Sequence, residues 1–225
     1  MRLLRRLVLF AAVAGAALLA LLIGLLLLWR VAPPVSTLML ARYATLKPVT
    51  RDWVALADMS PALPAAVIMS EDAQFCRHDG VDWKALREVI EDADEDGPAR
   101  GASTITMQLA KNLFLWPGRS AVRKGVEIPL ALLIDAAWPK RRVLEVYLNI
   151  AEWGPDGVFG AEAGARRAFR KGAEDLSARE AALMAASLPN PILRNPGRPG
   201  RNVAAHAGRI LARMRDAKPW TDCVR

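Results

Sequence analysis

The longest uninterrupted hydrophobic segment of the chain lies at its N-terminus. No charged residue occurs from Leu7 to Trp29, and nearly every side chain there is Leu, Ala, Val, Ile or Phe. A helix that rises ~1.5 Å per residue would extend about 35 Å over this segment, enough to cross a tilted bilayer. The apolar part of a cleaved signal peptide usually has only about 7–15 residues. The pattern therefore predicts an uncleaved transmembrane helix over residues 7–29.

Beyond this segment, hydrophobic positions recur mainly at helical spacing, and no alternating strand or hairpin signal stands out. Residues 30–50, which include Pro33 and Pro34, are predicted to be a linker, and residues 51–225 a folded domain. Ser103 is the predicted N-cap of a central helix, and Ser177 with Glu180 forms a predicted capping box. Other helices are predicted over residues 64–70, from 83 onward, over 143–150, and over about 202–216. The fold class is therefore all-α.

The distribution of charge predicts an orientation for the N-terminal helix. The chain carries 31 basic and 23 acidic residues, for a formal net charge of +8. Arg2, Arg5 and Arg6 precede the apolar segment, so the positive-inside rule places residues 1–6 in the cytoplasm and the domain across the membrane. Without its first 30 residues the chain has a net charge of only +4. This mild excess suits an anionic lipid surface or a diphosphate, and nucleic acid is not an expected partner.

Two features suggest ion or redox chemistry but carry little weight. Cys76 and Cys223 could pair in an oxidising compartment, yet two distant cysteines do not establish a disulfide, and pairing stays open. No CxxC spacing predicts a zinc site. The segment Asp92–Gly97 begins like an EF-hand loop, but Ser103 stands where the loop needs its last glutamate. We interpret it as a solvated acidic loop.

The first candidate site is the acidic segment around Glu71. Asp72 adjoins it, and Phe75 and His78 follow. Apolar neighbours and a nearby like charge both raise the pKa of a carboxylate, which a general base near neutral pH requires. The alternative is a structural pair of acids at a helix end, capped by the histidine.

The second and third candidate sites are polar and cationic. Thr104, Gln108 and Lys111 share one helical face, which suits sugar hydroxyls and a phosphate, although it could also be a solvent-facing stripe. Further along the chain, three cations lie within reach of one acid and could hold a diphosphate, or form an ordinary surface ion-pair network. These residues are Arg119, Arg123, Lys124 and Glu127. Residues 113–116 before them are apolar, as a lipid-facing surface would be.

Together these segments resemble the peptidoglycan glycosyltransferases, family 51 of the glycosyltransferases. Four family motifs occur in order, over Glu71–Gly80, Gly101–Asn112, Arg123–Glu127 and about Lys140–Asn149. The second motif, G-x-STITMQL-x-KN, is highly specific. No transpeptidase domain follows before the end of the sequence, so we expect the monofunctional biosynthetic type. Two positions depart from the family pattern: His206 stands where an arginine is usual, and Gly164 where an alanine is usual.

The resemblance implies a lysozyme-like domain that builds glycan chains for the cell wall. It implies transfer of the growing lipid-linked strand from undecaprenyl diphosphate to the 4-hydroxyl of lipid II, with inversion to a β-1,4 link. Glu71 matches the general base, and Glu127 a second glutamate that orients cations or holds a divalent ion. The implied substrate and diphosphate residues are Ser103, Thr104, Gln108, Lys111, Arg119, Arg123 and Lys124. The implied supporting residues are Asp72, Phe75, His78, Asn112, Tyr147 and Asn149.

The resemblance also implies surroundings and partners. We expect a single-pass protein of the bacterial inner membrane, with a periplasmic catalytic domain. Its partners would be lipid II, the lipid-linked glycan strand and other proteins of cell-wall synthesis and division. No cofactor is required with certainty, and Mg or Mn near Glu127 is a candidate. Two rival hypotheses are a lytic glycoside hydrolase, which needs a glutamate but no cation cluster, and a non-catalytic membrane-anchored scaffold.

Overall fold

The computed structural model describes residues 1–91, 102–116, 118 and 120–225. The chain forms two compact units, Met1–Pro33 and Pro34–Arg225. The first unit is helix α1, Arg2–Trp29, whose most apolar window has a mean hydropathy of 2.7. Within the described ranges, α1 is the one helix long and apolar enough to cross a membrane. The span predicted at residues 7–29 lies inside it.

The second unit is built almost entirely of helices. These are α2 (Thr37–Ala44), α3 (Ala62–Glu71), α4 (Trp83–Glu91), α5 (Ile105–Phe114), α6 (Ala121–Ala137), α7 (Lys140–Ile150), α8 (Ala161–Phe169), α9 (Ala178–Ser187) and α10 (Arg201–Met214). Short 3-10 turns occur at Leu56–Asp58, Phe75–Arg77, Pro155–Gly157, Ala173–Asp175, Lys218–Trp220 and Asp222–Val224. Two strands, β1 (Glu152–Gly154) and β2 (Val158–Phe159), pair antiparallel. Strands of two and three residues are too short to show alternation, so this ribbon could not be predicted from the hydrophobic pattern.

Residues 34–50, predicted as part of a linker, belong to the folded unit. Ser36 caps α2 by accepting a hydrogen bond from the backbone N–H of Met39, and the Met39 side chain is completely buried. The Thr37 hydroxyl donates to the backbone oxygen of Leu115, at the end of α5, over 2.6 Å. Pro33 and Pro34 favoured a linker, and the capped helix after them has only 8 residues, which is short for a helical period to be recognised in the sequence. The acidic segment at residues 92–97 lies outside the described residues.

The core is organised around α3 and α5. Helix α3 packs against α9 and α10, and α5 packs against α6 and α7. Helix α3 is apolar on every side, and Leu63, Val67 and Ile68 are completely buried, as expected for a helix inside a core. Each such side chain contributes roughly 1.5–3 kcal/mol. Because α3 ends when the backbone of Asp72 leaves the helical region, the buried helix delivers Glu71 to the surface of the core.

Helix α5 begins one residue later than predicted, with Thr104 rather than Ser103 as its N-cap. The Thr104 hydroxyl accepts from the backbone N–H of Met107 and donates to the backbone oxygen of Gly80 over 2.6 Å. Thr104 is only 3% exposed, so its hydroxyl serves the fold. The carboxylate of Asp72 accepts from the backbone N–H of Ile105 at 2.9 Å and satisfies another free donor of the first turn.

Three further expectations concern α6, α8 and α9. Pro129 predicts a kink or an interruption of α6, and the helix continues through it without interruption. The capping box of Ser177 and Glu180 at α9 is confirmed. A Cβ on Gly164 would lie 2.7 Å from the Cβ of Trp153, so glycine at this position permits the close approach of α8 to β1.

The apolar surface differs from the one expected at residues 113–116. Leu113 and Leu115 are buried, and Trp116 alone of the predicted patch is exposed. Helix α6 instead presents exposed apolar side chains at Val122, Val126, Leu132 and Leu133. The apolar face next to the cations is therefore provided mainly by α6.

A disulfide joins Cys76 to Cys223 across 147 residues, which settles the pairing that the sequence left open. It attaches the C-terminal segment to the loop after α3. The guanidinium of Arg77 lies 4.8 Å from the ring centroid of Trp220, and Arg141 donates to the backbone oxygen of Val224 at 3.2 Å. The end of the domain is therefore fixed against both the loop after Glu71 and α7.

Candidate active site

Glu71, the last residue of α3, lies at the centre of a short chain of hydrogen bonds. Gln108 Nε2 donates to Glu71 Oε2 at 3.1 Å, and Ser70 Oγ donates to Oε1 at 3.2 Å. Tyr147 donates its hydroxyl proton to Gln108 Oε1 at 2.9 Å. Because Tyr147 occupies the amide oxygen, the amide nitrogen of Gln108 is directed at the carboxylate. Three elements, α3, α5 and α7, therefore position Glu71.

The surroundings of Glu71 are those of a base rather than of an ion-pair partner. Burial raises the pKa of Glu71, whereas the hydrogen bonds from Gln108 and Ser70 and the charge of Arg194 lower it less strongly. Glu71 has no salt bridge with any residue that the structure describes. Burial also raises the pKa of Tyr147 well above its ordinary value, so its phenol stays protonated and continues to donate. A carboxylate held by neutral donors can accept a proton near neutral pH.

The residues after Glu71 fix its loop to the rest of the domain. His78 Nε2 lies 3.0 Å from Asp72 Oδ1, and Phe75 is completely buried. The ammonium of Lys140 donates to the backbone oxygen of His78 at 2.6 Å, pairs with Asp135 at 2.7 Å, and lies 4.7 Å from the ring centroid of Phe75. Asp72, Phe75 and His78 are thus placed where residues that support Glu71 would be.

The third candidate site is concentrated on α6. Arg123 pairs with Glu127, which is 4% exposed, and Lys124 Nζ lies 3.3 Å from the other carboxylate oxygen of Glu127. Lys124 also donates to Ser103 Oγ at 2.6 Å. Burial first, then the charges of Arg123 and Lys111, lower the pKa of Lys124 to about 8. Arg119, the remaining predicted cation, lies outside the described residues.

Gln108 links two cavities through its hydrogen bond to Glu71. The larger, of about 350 Å³, is lined by Lys111 and Arg123 together with Gln108, Tyr147 and Asn112. The smaller, of about 210 Å³, is lined by Glu71 and Ser103, among others. Gln108 lines the larger cavity and donates to the carboxylate of the smaller one. An anion held in one cavity would therefore lie close to a hydroxyl held in the other.

Lys111 is the cation of the larger cavity that has no partner among the described residues. Its ammonium makes no hydrogen bond or ion pair with any residue in the described ranges, in contrast to Arg123 and Lys124. Burial and the charge of Arg123 lower the pKa of Lys111, and the charge of Glu71 raises it. A desolvated ammonium without a partner gains most from a charged ligand, because such a ligand replaces the water that it lost.

Comparison with known proteins agrees with this arrangement. A transglycosylase family model matches residues 38–215. The chain belongs to the transglycosylase family. The biosynthetic peptidoglycan transglycosylase of Nitrobacter hamburgensis is 56% identical over 203 residues, which cover 87% of this chain and 90% of that protein. Proteins of the same name from Rhodopseudomonas palustris strain TIE-1 and Brucella suis biovar 1 are each 54% identical, over 95% and 85% of this chain and 91% and 85% of their own length.

Membership of the family confirms the resemblance and the glycosyltransferase class that it implied. An all-α transglycosylase domain preceded by one apolar helix is confirmed as well. The individual site residues remain predictions, which the geometry supports to different degrees. Gln108, Lys111, Asn112 and Arg123 line the larger cavity, and Ser103 lines the smaller one.

Two predicted residues of the transglycosylase site use their polar side chains within the fold, and for Asn149 this agrees with the supporting role that the family resemblance implied. The hydroxyl of Thr104 is used by Gly80 and Met107, but Thr104 also lines the smaller cavity, so its contact with substrate stays a prediction. Asn149 is completely buried, and its amide bonds the backbone of Val54 in both directions, at 2.9 and 2.8 Å.

The predicted divalent ion near Glu127 does not fit the residues described there. The two carboxylate oxygens of Glu127 face Arg123 and Lys124, whereas Mg²⁺ prefers several oxygen ligands. The one cluster of potential ligands within the described ranges is Cys76, Asp222 and Cys223, and its cysteines form the disulfide. No step of the proposed reaction therefore uses a metal ion.

Proposed function

We propose that this transglycosylase polymerises peptidoglycan glycan chains from lipid II. One observation carries the proposal: Glu71 combines a raised pKa with neutral hydrogen-bond partners, one hydrogen bond away from a cavity lined by Lys111 and Arg123. A glycosyl transfer to a hydroxyl requires both a base for the acceptor and cations for a diphosphate leaving group.

In the proposed reaction, the acceptor lipid II binds with its sugar 4-hydroxyl beside Glu71 in the smaller cavity. Glu71 takes the hydroxyl proton while the oxygen forms a bond to the anomeric carbon of the donor strand. The bond from that carbon to the diphosphate oxygen breaks, and its electron pair leaves with undecaprenyl diphosphate. Attack opposite the leaving group inverts the anomeric carbon and gives a β-1,4 link.

The cations act on the leaving group. The ammonium of Lys111 has no partner among the described residues, so it would gain one when the diphosphate binds. It would then stabilise the charge that develops as the glycosidic bond breaks. Arg123 and Lys124 are held in place by Glu127, which limits the entropy lost when they bind a ligand. Arg119 is proposed to join them, on the basis of the family motif.

The proposed location is the bacterial inner membrane, with the N-terminus in the cytoplasm and the catalytic domain in the periplasm. The three arginines before the apolar helix support this orientation. The disulfide supports an oxidising compartment for the domain. Anchoring would hold the site near lipid-linked substrates, and other proteins of cell-wall synthesis and division remain proposed partners.

Polymerisation of labelled lipid II in detergent micelles tests this function. Wild type should produce glycan polymer, whereas Glu71→Gln should lose at least about 100-fold of the rate because the base is gone. Glu88→Gln is the matched control, since Glu88 is an exposed acid on α4 outside both cavities. Circular dichroism should show the same helix content in all three proteins.

The same preparation separates the rival functions. A folded wild type that shortens preformed glycan but does not polymerise lipid II would identify a hydrolase. A folded wild type that does neither would favour a scaffold. Polymer from wild type and Glu88→Gln, with none from Glu71→Gln, supports the polymerase and its base.

A further inference from the structure

Glu152 is a carboxylate in the larger cavity that the proposed reaction does not use. It is the first residue of β1, directly after the end of α7. It lines the cavity together with Lys111 and Arg123, and it is the one acidic side chain among the described lining residues. Its carboxylate makes no hydrogen bond or ion pair with any residue in the described ranges.

The local structure holds the backbone around Glu152 in place. Glu152 pairs with Phe159 across the ribbon, and the next residue, Trp153, is 3% exposed and donates its indole N–H to the backbone oxygen of Leu148 at 3.1 Å. The ribbon is irregular between Glu152 and Gly154, so the position of Glu152 follows from the cavity that it lines rather than from strand alternation. The strand therefore places Glu152 in the lining of the larger cavity, where no residue of the described ranges makes a hydrogen bond or ion pair with its carboxylate.

An ordinary surface acid would not have these surroundings. Glu152 is half-buried, and burial raises its pKa even though the charge of Arg42 acts in the opposite direction. Loss of water without a compensating hydrogen bond costs free energy in the unliganded protein. A ligand with a hydrogen-bond donor would restore the lost interaction.

The charge of the cavity limits what that donor can be. A diphosphate near Lys111 and Arg123 would repel a carboxylate, so Glu152 must face a different part of the same ligand. An ionised carboxylate only accepts hydrogen bonds, and sugar hydroxyls and acetamido N–H groups are the donors nearest a glycosyl diphosphate. We propose that Glu152 accepts hydrogen bonds from the donor glycan strand beside its diphosphate and thereby determines the affinity for that strand. This proposal rests on the proposed function.

In this role Glu152 binds the donor strand but does not act on the reacting atoms. Its hydrogen bonds would be present both before and during the transfer, so they should change KM for the donor more than kcat. A hydrogen bond to a charged group accounts for roughly 10- to 100-fold in binding. Affinity for the acceptor lipid II, which binds in the other cavity, should change little.

Steady-state kinetics with a lipid-linked tetrasaccharide as donor and saturating lipid II as acceptor test this role. Glu152→Ala should raise KM for the donor by about 10-fold or more, with kcat within about threefold of wild type. Glu152→Gln keeps an acceptor oxygen and should lose less. Glu174→Ala removes an exposed acid far from both cavity linings and should match wild type. If Glu152→Ala does not fold, Glu152→Asp retracts the charge by one methylene and should still raise the donor KM.

Two results would overturn the proposal. A donor KM unchanged in both Glu152→Ala and Glu152→Asp would show that the carboxylate does not contact the strand. A wild-type donor KM that rises to the Glu152→Ala value when the stem-peptide amine is acetylated would show that Glu152 pairs with an ammonium group rather than with sugar. Failure of the proposed function itself is distinct, because wild type would then make no polymer at all.

Discussion

The two glutamates of the site, Glu71 and Glu127, have opposite kinds of partner. The hydrogen-bond partners of Glu71 are neutral: Ser70 beside it on α3, and Gln108 on α5, which Tyr147 on α7 orients. The partners of Glu127 are the cations Arg123 and Lys124, within one turn of the same helix. The carboxylate of Glu71 therefore remains able to accept a proton, whereas the carboxylate of Glu127 is already paired with cations.

The two regions also differ in how they are attached. The loop after Glu71 is fixed by the disulfide at Cys76 and by the hydrogen bond from Lys140 to His78. Helix α6 instead presents exposed apolar side chains beside its cations. The base is thus placed by long-range contacts, and the cation cluster by the geometry of one helix.

Removal of the disulfide should have the largest effect, and it should affect the loop after Glu71 more than α6. Cys76→Ser with Cys223→Ser removes a cross-link that spans 147 residues, and we expect a loss of about 3–5 kcal/mol in the free energy of unfolding. Thermal unfolding followed by circular dichroism measures the loss, and hydrogen exchange should increase more in residues 72–80 than in 121–137. Dithiothreitol should lower the wild type to the level of the variant and leave the variant unchanged. Equal melting temperatures would contradict this account.

Breaking the ion pair on α6 should cost nearly as much. Arg123→Met leaves Glu127 buried beside fewer cations, and we expect about 3 kcal/mol of destabilisation in chemical unfolding. Adding Glu127→Leu removes the uncompensated carboxylate, so the double variant should recover at least half of that loss. A double variant less stable than Arg123→Met would show that the pair is not the source of the effect.

The pKa of Lys124, lowered to about 8, gives the cation cluster its own pH dependence. As pH rises through about 8 the ammonium loses its proton, so kcat/KM should fall on the alkaline side. Lys124→Arg keeps the charge over this range and should remove the fall. Steady-state kinetics between pH 7 and 9.5 measure it. A wild-type profile that is flat through this range, or one that Lys124→Arg leaves unchanged, would exclude this role.

The smallest expected effect concerns the cost of ionising Glu71. Because burial raises its folded-state pKa above 4.5, the ionised form is disfavoured in the folded protein. This cost is absent below pH 4.5, grows as pH rises through the raised pKa, and is complete above it. Glu71→Gln should therefore have a higher melting temperature than wild type at pH 7.5 and the same melting temperature near pH 4. A destabilised variant at pH 7.5 would contradict the raised pKa.

Contacts within one helix could be predicted from the sequence, whereas contacts between helices could not. The ion pair of Arg123 with Glu127 follows from i, i+4 spacing on one helix, and it was predictable. Gln108 lies 37 residues from Glu71, and Tyr147 lies 39 residues from Gln108, so helical packing alone brings them together. The family motifs identified these residues, whereas the hydrogen bonds that orient them required the fold.

Other differences have similar physical causes. Ser103 and Thr104 are equally good caps by residue type, and the choice depends on which hydroxyl meets the backbone oxygen of Gly80. Glu152 could not be singled out from the sequence, because one isolated acidic residue is common in any chain. Only its placement in the larger cavity, without a partner among the described residues, distinguishes it.

The central claim is that Glu71 is the base and that burial and neutral hydrogen-bond donors set its pKa. The most direct test is the acidic side of the kcat/KM profile for lipid II polymerisation, measured for wild type and Ser70→Ala. The account predicts a midpoint above 4.5 for wild type, shifted to higher pH in Ser70→Ala because that variant loses a donor that favours the ionised carboxylate. A midpoint at or below 4.5, or one that Ser70→Ala leaves in place, would contradict it.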